Sequence, residues 1–335
     1  MSAFARLGAA FAAMMCLMGG AYANQPVTLV LNWTPTADHS PYYYAKDKGW
    51  YAKAGIDLTI EIGKGSAVSA EKVGTGQDAF GVADLPTALV ARSKGADVVA
   101  VMSVYANTPQ EFYWLKSSGI RGPKDFPGHS IGNPPGDASR VMWPAFAKAV
   151  GIDPKSVKFV NISPQAKLPA LKSHAVDIIS DFYNEHDLKL KAFGANLGFV
   201  NWKDVGLNLY GNALVVNGAF MKKHPKLVSA FVKISQKAFA ACVADVHPCL
   251  KSLLNDASGL KMKTQLNQWE RIKQLMTDKF ATTKALGWID AARMQHDYTL
   301  VKTYLGLQKP FAVKSAFTDR FLDTSIKMDA SKVRH

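Results

Sequence analysis

Two short stretches of the sequence carry side chains that could bind a planar organic molecule. Trp33 offers a large flat ring with one N–H donor, and His39 follows in the same loop, just ahead of Pro41. Tyr183 and Glu185 lie in the densest polar cluster of the chain. An aromatic ring can stack on such a molecule, and a carboxylate can accept from an amine or amidine. The alternatives are structural, because Trp33 could pack in a core and His39 could cap a helix.

Further small polar residues stand where helices are predicted to begin. Gly65 and Ser66 offer backbone N–H groups and a hydroxyl, a combination that binds carboxylate, sulfonate, phosphate or a ring carbonyl. Asp137 and Ser139 form a second such start, and Asp84 ends a strand where it could accept from a ligand amine. These side chains could equally cap their helices, because short polar residues are the commonest N-caps.

The sequence contains no motif of an established catalytic class. It has no Gly-x-Ser-x-Gly, no P-loop, no His-Glu-x-x-His and no cysteine spacing suited to a metal. A hydrolase or lyase that uses Asp181 and Glu185 for acid–base work is the competing hypothesis. We therefore predict a protein that binds a small molecule, catalyses no reaction and uses no metal or cofactor.

Alternating strands and helices are needed to position these residues. Strand-like segments separated by helical ones make up the first part of the chain, at residues 27–32, 56–62, 79–82 and 97–104. A second unit with the same rhythm begins near residue 112, and residues 225–305 are mostly helical. This alternation predicts an α/β fold with two doubly wound, mixed sheets joined by a hinge, through crossings near residues 105–115 and 181–215.

The candidate residues fall in loops at the carboxyl ends of predicted strands, where ligands of open α/β sheets collect. We therefore expect five loops to face one cleft, at residues 33–39, 63–66, 83–86, 133–139 and 182–185. The expected organisation is a first lobe of residues 24–112 and 206–335 and a second lobe of residues 113–205.

Residues 1–23 are predicted to be a cleaved signal peptide, because one arginine precedes an apolar run that ends in Ala-Tyr-Ala. The protein is therefore expected in the periplasm, and no later apolar stretch is long enough to predict a membrane span. The formal net charge is +14, but the lysines are scattered singly, so we predict no nucleic-acid partner. Cys242 and Cys249 could form a disulfide if Pro248 breaks the helix between them, and the sequence leaves this open.

Several longer segments combine into a pattern found in one known family. They are Pro41-Tyr-Tyr-Tyr-Ala-Lys-Asp-Lys-Gly-Trp-Tyr-Ala-Lys-Ala-Gly-Ile-Asp-Leu58, Phe80-Gly-Val-Ala-Asp84, Lys124-Asp-Phe-Pro-Gly-His-Ser-Ile-Gly132, Ala170-Leu-Lys-Ser-His-Ala-Val-Asp177 and Tyr210-Gly-Asn-Ala-Leu-Val-Val-Asn217. Together they resemble the periplasmic solute-binding proteins of ABC importers for sulfonates, taurine, nitrate and thiamine pyrimidines. The resemblance implies a two-lobed periplasmic binding protein of type II that delivers a solute to an inner-membrane permease, and we expect a monomer. Tyr42 and Asn212 lie within these segments and are added to the expected ligand-binding residues.

Within that family, Leu31-Asn-Trp-Thr-Pro35 with His39 is most similar to the thiamine-pyrimidine branch. The resemblance implies that Trp33 and Tyr183 sandwich a ring whose amine is bound by Glu185. The expected solute is therefore a thiamine-type pyrimidine precursor. Sulfonates, taurine, flavin precursors and aromatic acids stay open as other solutes of the same family.

An enzyme of the same fold offers a further alternative. The fungal pyrimidine synthase consumes a histidine of its own in a loop similar to this one, and His39 matches that position. That enzyme carries a cysteine-rich iron motif, whereas this chain has only three scattered cysteines. We expect no enzymatic activity, with a secreted hydrolase or synthase-like enzyme using His39 or Glu185 as the alternative.

Overall fold

The computed structural model describes residues 24–334, and the predicted signal peptide lies outside them. The strands are β1 Gln25–Val30, β2 Ile56–Glu61, β3 Phe80–Asp84, β4 Val98–Ser103, β5 Gln110–Leu115, β6 Ser130–Asn133, β7 Lys158–Asn161, β8 Ile178–Phe182, β9 Leu197–Asn201 and β10 Asn212–Asn217. The helices are α1 Ser40–Asp47, α2 Trp50–Lys53, α3 Ser66–Thr75, α4 Leu85–Ser93, α5 Ala138–Val141, α6 Trp143–Ala149, α7 Lys167–Lys172, α8 His186–Phe193, α9 Gly218–Lys223, α10 Pro225–Ala244, α11 His247–Asp256, α12 Met262–Met276, α13 Lys279–Thr283 and α14 Ala291–Leu305.

The strands form two five-stranded sheets with the same arrangement. The first has the order β2-β1-β3-β10-β4, in which β10 runs antiparallel to β3 and β4. The second has the order β7-β6-β8-β5-β9, in which β5 runs antiparallel to β8 and β9. The remaining pairs in both sheets are parallel. The predicted α/β class with two mixed sheets is therefore confirmed.

Within residues 24–334, apolar side chains form three cores, and one of them joins the two sheets. Leu29 and Val30 are neighbours in β1, yet they point to opposite faces and lie in different cores. The core that contains Val30 continues through Phe112 of β5, and α14 packs on both α4 and α6. Tyr113 belongs to a smaller core behind the second sheet. The lobes are therefore held together by apolar packing as well as by the chain crossings.

Helix α10 is the one helix among the described residues that is long and apolar enough, by length and composition, to cross a membrane. The expectation that no later stretch is long enough is therefore wrong for this segment. Half of the most apolar 18-residue segment of this helix is buried inside the protein. Phe231 stacks on Phe80 of β3 with ring centroids 3.9 Å apart. Core packing in the first lobe thus accounts for the apolar composition of α10.

A disulfide joins Cys242 and Cys249, which answers the question that the sequence leaves open. Helix α10 ends at Ala244 and α11 begins at His247, so the chain turns back between the two cysteines. This turn brings their Cα atoms to 5.9 Å. Both side chains are fully buried in the core of the first lobe.

Two pairs of neighbouring helices are separated by short interruptions. Helices α1 and α2 are separated near Gly49, which adopts a left-handed φ of +66°. Helices α5 and α6 are separated at Met142. The predicted lobe boundary at residue 113 falls inside β5, all of which belongs to the second sheet, so the chain crosses before Gln110.

Candidate functional site

A cleft between the two lobes gathers most of the loops that the sequence singled out. The enclosed space inside it is small, with a cavity volume of about 30 Å³. The first lobe contributes Asn32, Trp33, Thr36, Asp38, His39 and Ser66, and the second contributes Asp137, Ala138, Lys167, Asp181, Phe182, Asn184 and Glu185. Four of the five expected loops therefore reach one cleft, and the loop at residues 83–86 lies directly behind Ser66.

The loop that follows β1 builds the wall of the first lobe around a buried histidine. The backbone N–H of Thr36 donates to His39 Nδ1 at 3.1 Å, so the ring proton sits on Nε2, which lies 3.0 Å from Asn32 Oδ1. Burial lowers the pKa of His39 below its usual 6.5, and the charge of Asp38 only partly opposes this. His39 is therefore neutral, and both of its nitrogens are engaged within the lobe.

Asp38 is a buried carboxylate held in place beside this histidine. It accepts from the Thr36 hydroxyl at 2.5 Å and from Asn212 Nδ2 at 3.3 Å. Asn212 in turn accepts from Asn32 Nδ2 at 3.1 Å. Asn212 does not line the cleft but fixes the two side chains that do.

The second lobe contributes two carboxylates that share one ammonium group. Lys189 Nζ donates to Asp181 and, at 3.2 Å, to Glu185 Oε2. Burial favours the neutral form of Asp181, but the charges of Lys189 and Lys167 outweigh it and lower the pKa to about 2. Burial and the charge of Asp181 together raise the pKa of Glu185 to about 7. The pair therefore combines a firmly ionised carboxylate with one that titrates near neutral pH.

Lys167 places a positive charge between the two lobes. Its Nζ donates to Asp137 Oδ2 at 2.7 Å and lies 4.5 Å from the centroid of the Trp33 ring. Asp137 also caps α5, because its other oxygen accepts from the Ser139 N–H at 2.9 Å. Trp33 is half-buried and Lys167 is 3% exposed. Sequence reasoning missed Lys167, since the lysines are scattered singly and nothing near it in sequence pairs with it.

The lobes touch where Gly65 meets Gly136. Gly65 has a φ of +122°, and a Cβ at that position would lie 2.3 Å from the Gly136 carbonyl oxygen. The N–H of Ala67 donates to this same oxygen at 3.2 Å. Only glycine allows the two backbones to approach so closely. The contact lies next to Ser66, whose side chain is buried. That hydroxyl accepts from the N–H of Asp84 at 3.0 Å.

The expected residues Tyr42, Asp84 and Ser139 support the core or the contact between the lobes and do not line the cleft. Tyr42 is fully buried against Phe239, with ring centroids 5.4 Å apart. Asp84 caps α4, and burial raises its pKa to about 6. Gln110, at the start of β5, donates to Asp84 at 3.4 Å and accepts from Ser139 at 2.5 Å. This glutamine therefore ties the two lobes together behind the cleft.

Tyr183 does not lie opposite Trp33, so the expected aromatic sandwich is not formed in this structure. Its hydroxyl donates to Gln274 of α12 at 3.0 Å, and the Arg271 guanidinium covers its ring at 4.5 Å. Arg271 also binds Asp187 through two hydrogen bonds of 2.9 and 2.6 Å. These contacts with α12 hold Tyr183 outside the cleft, and the neighbouring Phe182 lines the cleft instead.

The polar side chains of the site are suited to an organic solute. Among residues 24–334, no group of three or more His, Cys, Asp or Glu side chains is placed to hold a metal ion. The cleft walls combine one indole ring, one apolar ring, several carboxylates and one ammonium group. Such a set can stack on a planar ring and bind hydrogen-bond donors at its edge.

Two α/β lobes with mixed sheets and a cleft between their strand-end loops define the type II periplasmic binding protein fold. The same fold is seen in the solved periplasmic aliphatic sulphonate-binding protein SsuA from Escherichia coli, with a TM-score of 0.65 at 13% identity. The match covers 87% of this chain and 91% of that one. The chain belongs to the NMT1/THI5-like family, which matches residues 36–247.

Named relatives include both binding proteins and enzymes. A formylaminopyrimidine-binding protein from Halalkalibacterium halodurans is 21% identical over 88% of this chain and 90% of its own length. The riboflavin-binding protein RibY from Chloroflexus aurantiacus is 24% identical over 89% and 86%. A 4-amino-5-hydroxymethyl-2-methylpyrimidine phosphate synthase from Legionella pneumophila is 27% identical over 64% and 68%. The two binding proteins thus match along more of this chain than the synthase does.

Proposed function

We propose that this chain is the periplasmic solute-binding component of an ABC importer and that its solute is an aminopyrimidine of the thiamine type. The observation that carries the proposal is the composition of the cleft, in which the half-buried ring of Trp33 lies among the carboxylates of Asp38 and Glu185. The ring provides a stacking surface for a planar solute. The carboxylates accept from exocyclic amine or ring N–H donors.

The balance of charge supports an amine-bearing solute over a sulfonate. Four carboxylates line the cleft, at Asp38, Asp137, Asp181 and Glu185, whereas Lys167 is the one lysine or arginine among the lining residues of the described chain. Asp137 and Asp181 are paired with lysines, but Asp38 has only neutral hydrogen-bond donors. An anionic solute would be repelled by this carboxylate at close range. The relatives that are named for pyrimidines are consistent with this choice.

The cleft is nearly closed in this structure. Its cavity volume is about 30 Å³, far below the roughly 300–1,000 Å³ of ligand pockets. Any solute would therefore require the lobes to separate before it binds. Closure of the lobes on the solute by a hinge motion would present one shape to a membrane permease.

The test is calorimetric titration of the purified mature chain with an aminopyrimidine, riboflavin and taurine. We expect one-to-one binding of the aminopyrimidine, compaction in small-angle scattering, and no heat with taurine. Glu185→Gln should weaken the aminopyrimidine, while Glu71→Gln, an exposed residue of α3, is the matched control and should not. Binding of taurine with no response to any aminopyrimidine would overturn the proposal.

One observation favours a second candidate, an enzyme that uses the carboxylate pair. Asp181 and Glu185 have pKa values that their surroundings drive apart, to about 2 and about 7, as in sites where one carboxyl acts as acid and its neighbour stays ionised. Incubation with the solute followed by mass spectrometry distinguishes the two functions. Product formation that Glu185→Gln abolishes would support the enzyme, and unchanged solute after one-to-one binding would exclude it.

A further inference from the structure

Lys167 is a buried ammonium group with donors to spare, and it lies in the wall of the cleft. The side chain is 3% exposed, and Asp137 is its one hydrogen-bond acceptor within the part of the chain that the structure describes. An ammonium carries three N–H donors, and burial of unpaired donors is costly. The Trp33 ring, 4.5 Å away, makes a cation–π contact with the ammonium but has no oxygen to accept a hydrogen bond. At least one donor of Lys167 therefore has no acceptor among the described residues and is free to bind an atom in the cleft.

Asp137, the partner of Lys167, also has a structural role of its own. Asp137 caps α5 through the Ser139 N–H at 2.9 Å, and the Ser180 hydroxyl approaches the same oxygen at 3.4 Å. One oxygen of Asp137 is thus engaged by the helix start, and the other binds Lys167. Lys167 extends from α7 of the second lobe to the Trp33 ring of the first, so a solute stacked on that ring would lie within reach of the ammonium.

We propose that Lys167 selects solutes that carry a hydrogen-bond acceptor in addition to their amine donors. This inference rests on the function proposed above. The acceptor would be an uncharged carbonyl or hydroxyl oxygen on a substituent of the ring. The solute class is then a planar amine with an acceptor-bearing side chain, and the parent ring without that group binds more weakly. The carboxylates of Asp38 and Glu185 bind the donors, and Lys167 binds the acceptor.

The test compares matched solutes on matched variants. The solutes are 4-amino-2,5-dimethylpyrimidine, which has no acceptor on its side chain, its 5-formamidomethyl counterpart, and its 5-hydroxymethyl counterpart. The variants are Lys167→Met, Lys167→Arg, and Lys172→Met, which removes the same charge from an exposed position of the same helix. Because Lys167→Met leaves Asp137 without its counter-ion, the double variant Lys167→Met/Asp137→Asn keeps the site neutral. Circular dichroism on heating checks that each variant is folded.

We expect Lys167→Met and the double variant to weaken the formamidomethyl or hydroxymethyl solute by about 10- to 100-fold, the range of a charge-assisted hydrogen bond. The dimethyl compound should change by less than about threefold, Lys167→Arg should restore part of the loss, and Lys172→Met should have no effect. An equal loss for every solute, or none, would overturn the inference while leaving the proposed function intact. Wild-type protein that binds none of the three solutes would overturn the proposed function and this inference with it.

Discussion

Replacing Trp33 by alanine should weaken a planar solute by about 2 kcal/mol, or roughly 30-fold in Kd. The ring is half-buried before any solute arrives, and the Lys167 ammonium covers part of it at 4.5 Å. One remaining face amounts to roughly 50 Å² of the area that an indole can bury, which gives about 1.2 kcal/mol at 25 cal/mol per Å². Stacking of two aromatic rings adds about 0.5–1.5 kcal/mol.

Isothermal titration of the aminopyrimidine measures this loss directly. The matched control is Trp50→Ala, because Trp50 is also half-buried, with the Lys237 ammonium 4.2 Å from its ring, but it lies outside the cleft. We expect the control to bind like the wild type. An unchanged Kd in Trp33→Ala would refute the stacking role and would assign the indole to packing alone. Equal losses in both variants would show a general effect of removing a large ring.

The remaining predictions concern stability and closure. The raised pKa of Glu185 favours the folded state below pH 4.5, and this contribution is lost as the pH rises through about 7. The upper limit of this contribution is about 3 kcal/mol, and solvent contact of a side chain that is 19% exposed reduces it to roughly 1–2 kcal/mol. Urea unfolding at pH 5 and pH 8 measures the change in unfolding free energy between the two pH values, and Glu185→Gln should lack the part that Glu185 contributes. Arg271→Met should weaken solute binding about two- to fivefold, because its partly exposed ion pair with Asp187 joins α12 of the first lobe to the second lobe. The titration should give the same loss for Asp187→Asn. Replacing Cys242 and Cys249 by alanine should lower the free energy of unfolding by about 2 kcal/mol in denaturant without changing Kd.

The sequence predicts the cleft loops well, because each follows from a short-range pattern. A buried strand that ends in polar residues before a helix places those residues at the carboxyl edge of its sheet. Trp33, Ser66 and Glu185 come from three such loops, and the structure brings all three to one cleft. The predicted strands need no knowledge of distant contacts, since alternation of apolar residues identifies them locally.

Long-range contacts decide the points that the sequence does not reveal. Tyr183 stands in a polar cluster that fits a ligand site, but its direction depends on Arg271 and Gln274, about ninety positions later in the chain. Lys167 resembles a solvated surface lysine until the fold sets Trp33 and Asp137 beside it. Contacts between residues that are far apart in the chain cannot be read from the residues around each of them. The sequence therefore predicts the position of the cleft better than it predicts which side chains line it.

Net charge and site charge are independent in this protein, and the difference constrains the solute. The whole chain has a formal charge of +14, which taken alone would favour an anionic ligand. Four carboxylates nevertheless line the cleft, where low dielectric makes each charge count for more than it does on the surface. Screening by salt shortens the range of the scattered surface lysines to about 10 Å at ordinary ionic strength. We therefore propose that the buried groups determine which solute binds and that they favour an amine-bearing ring over a free sulfonate.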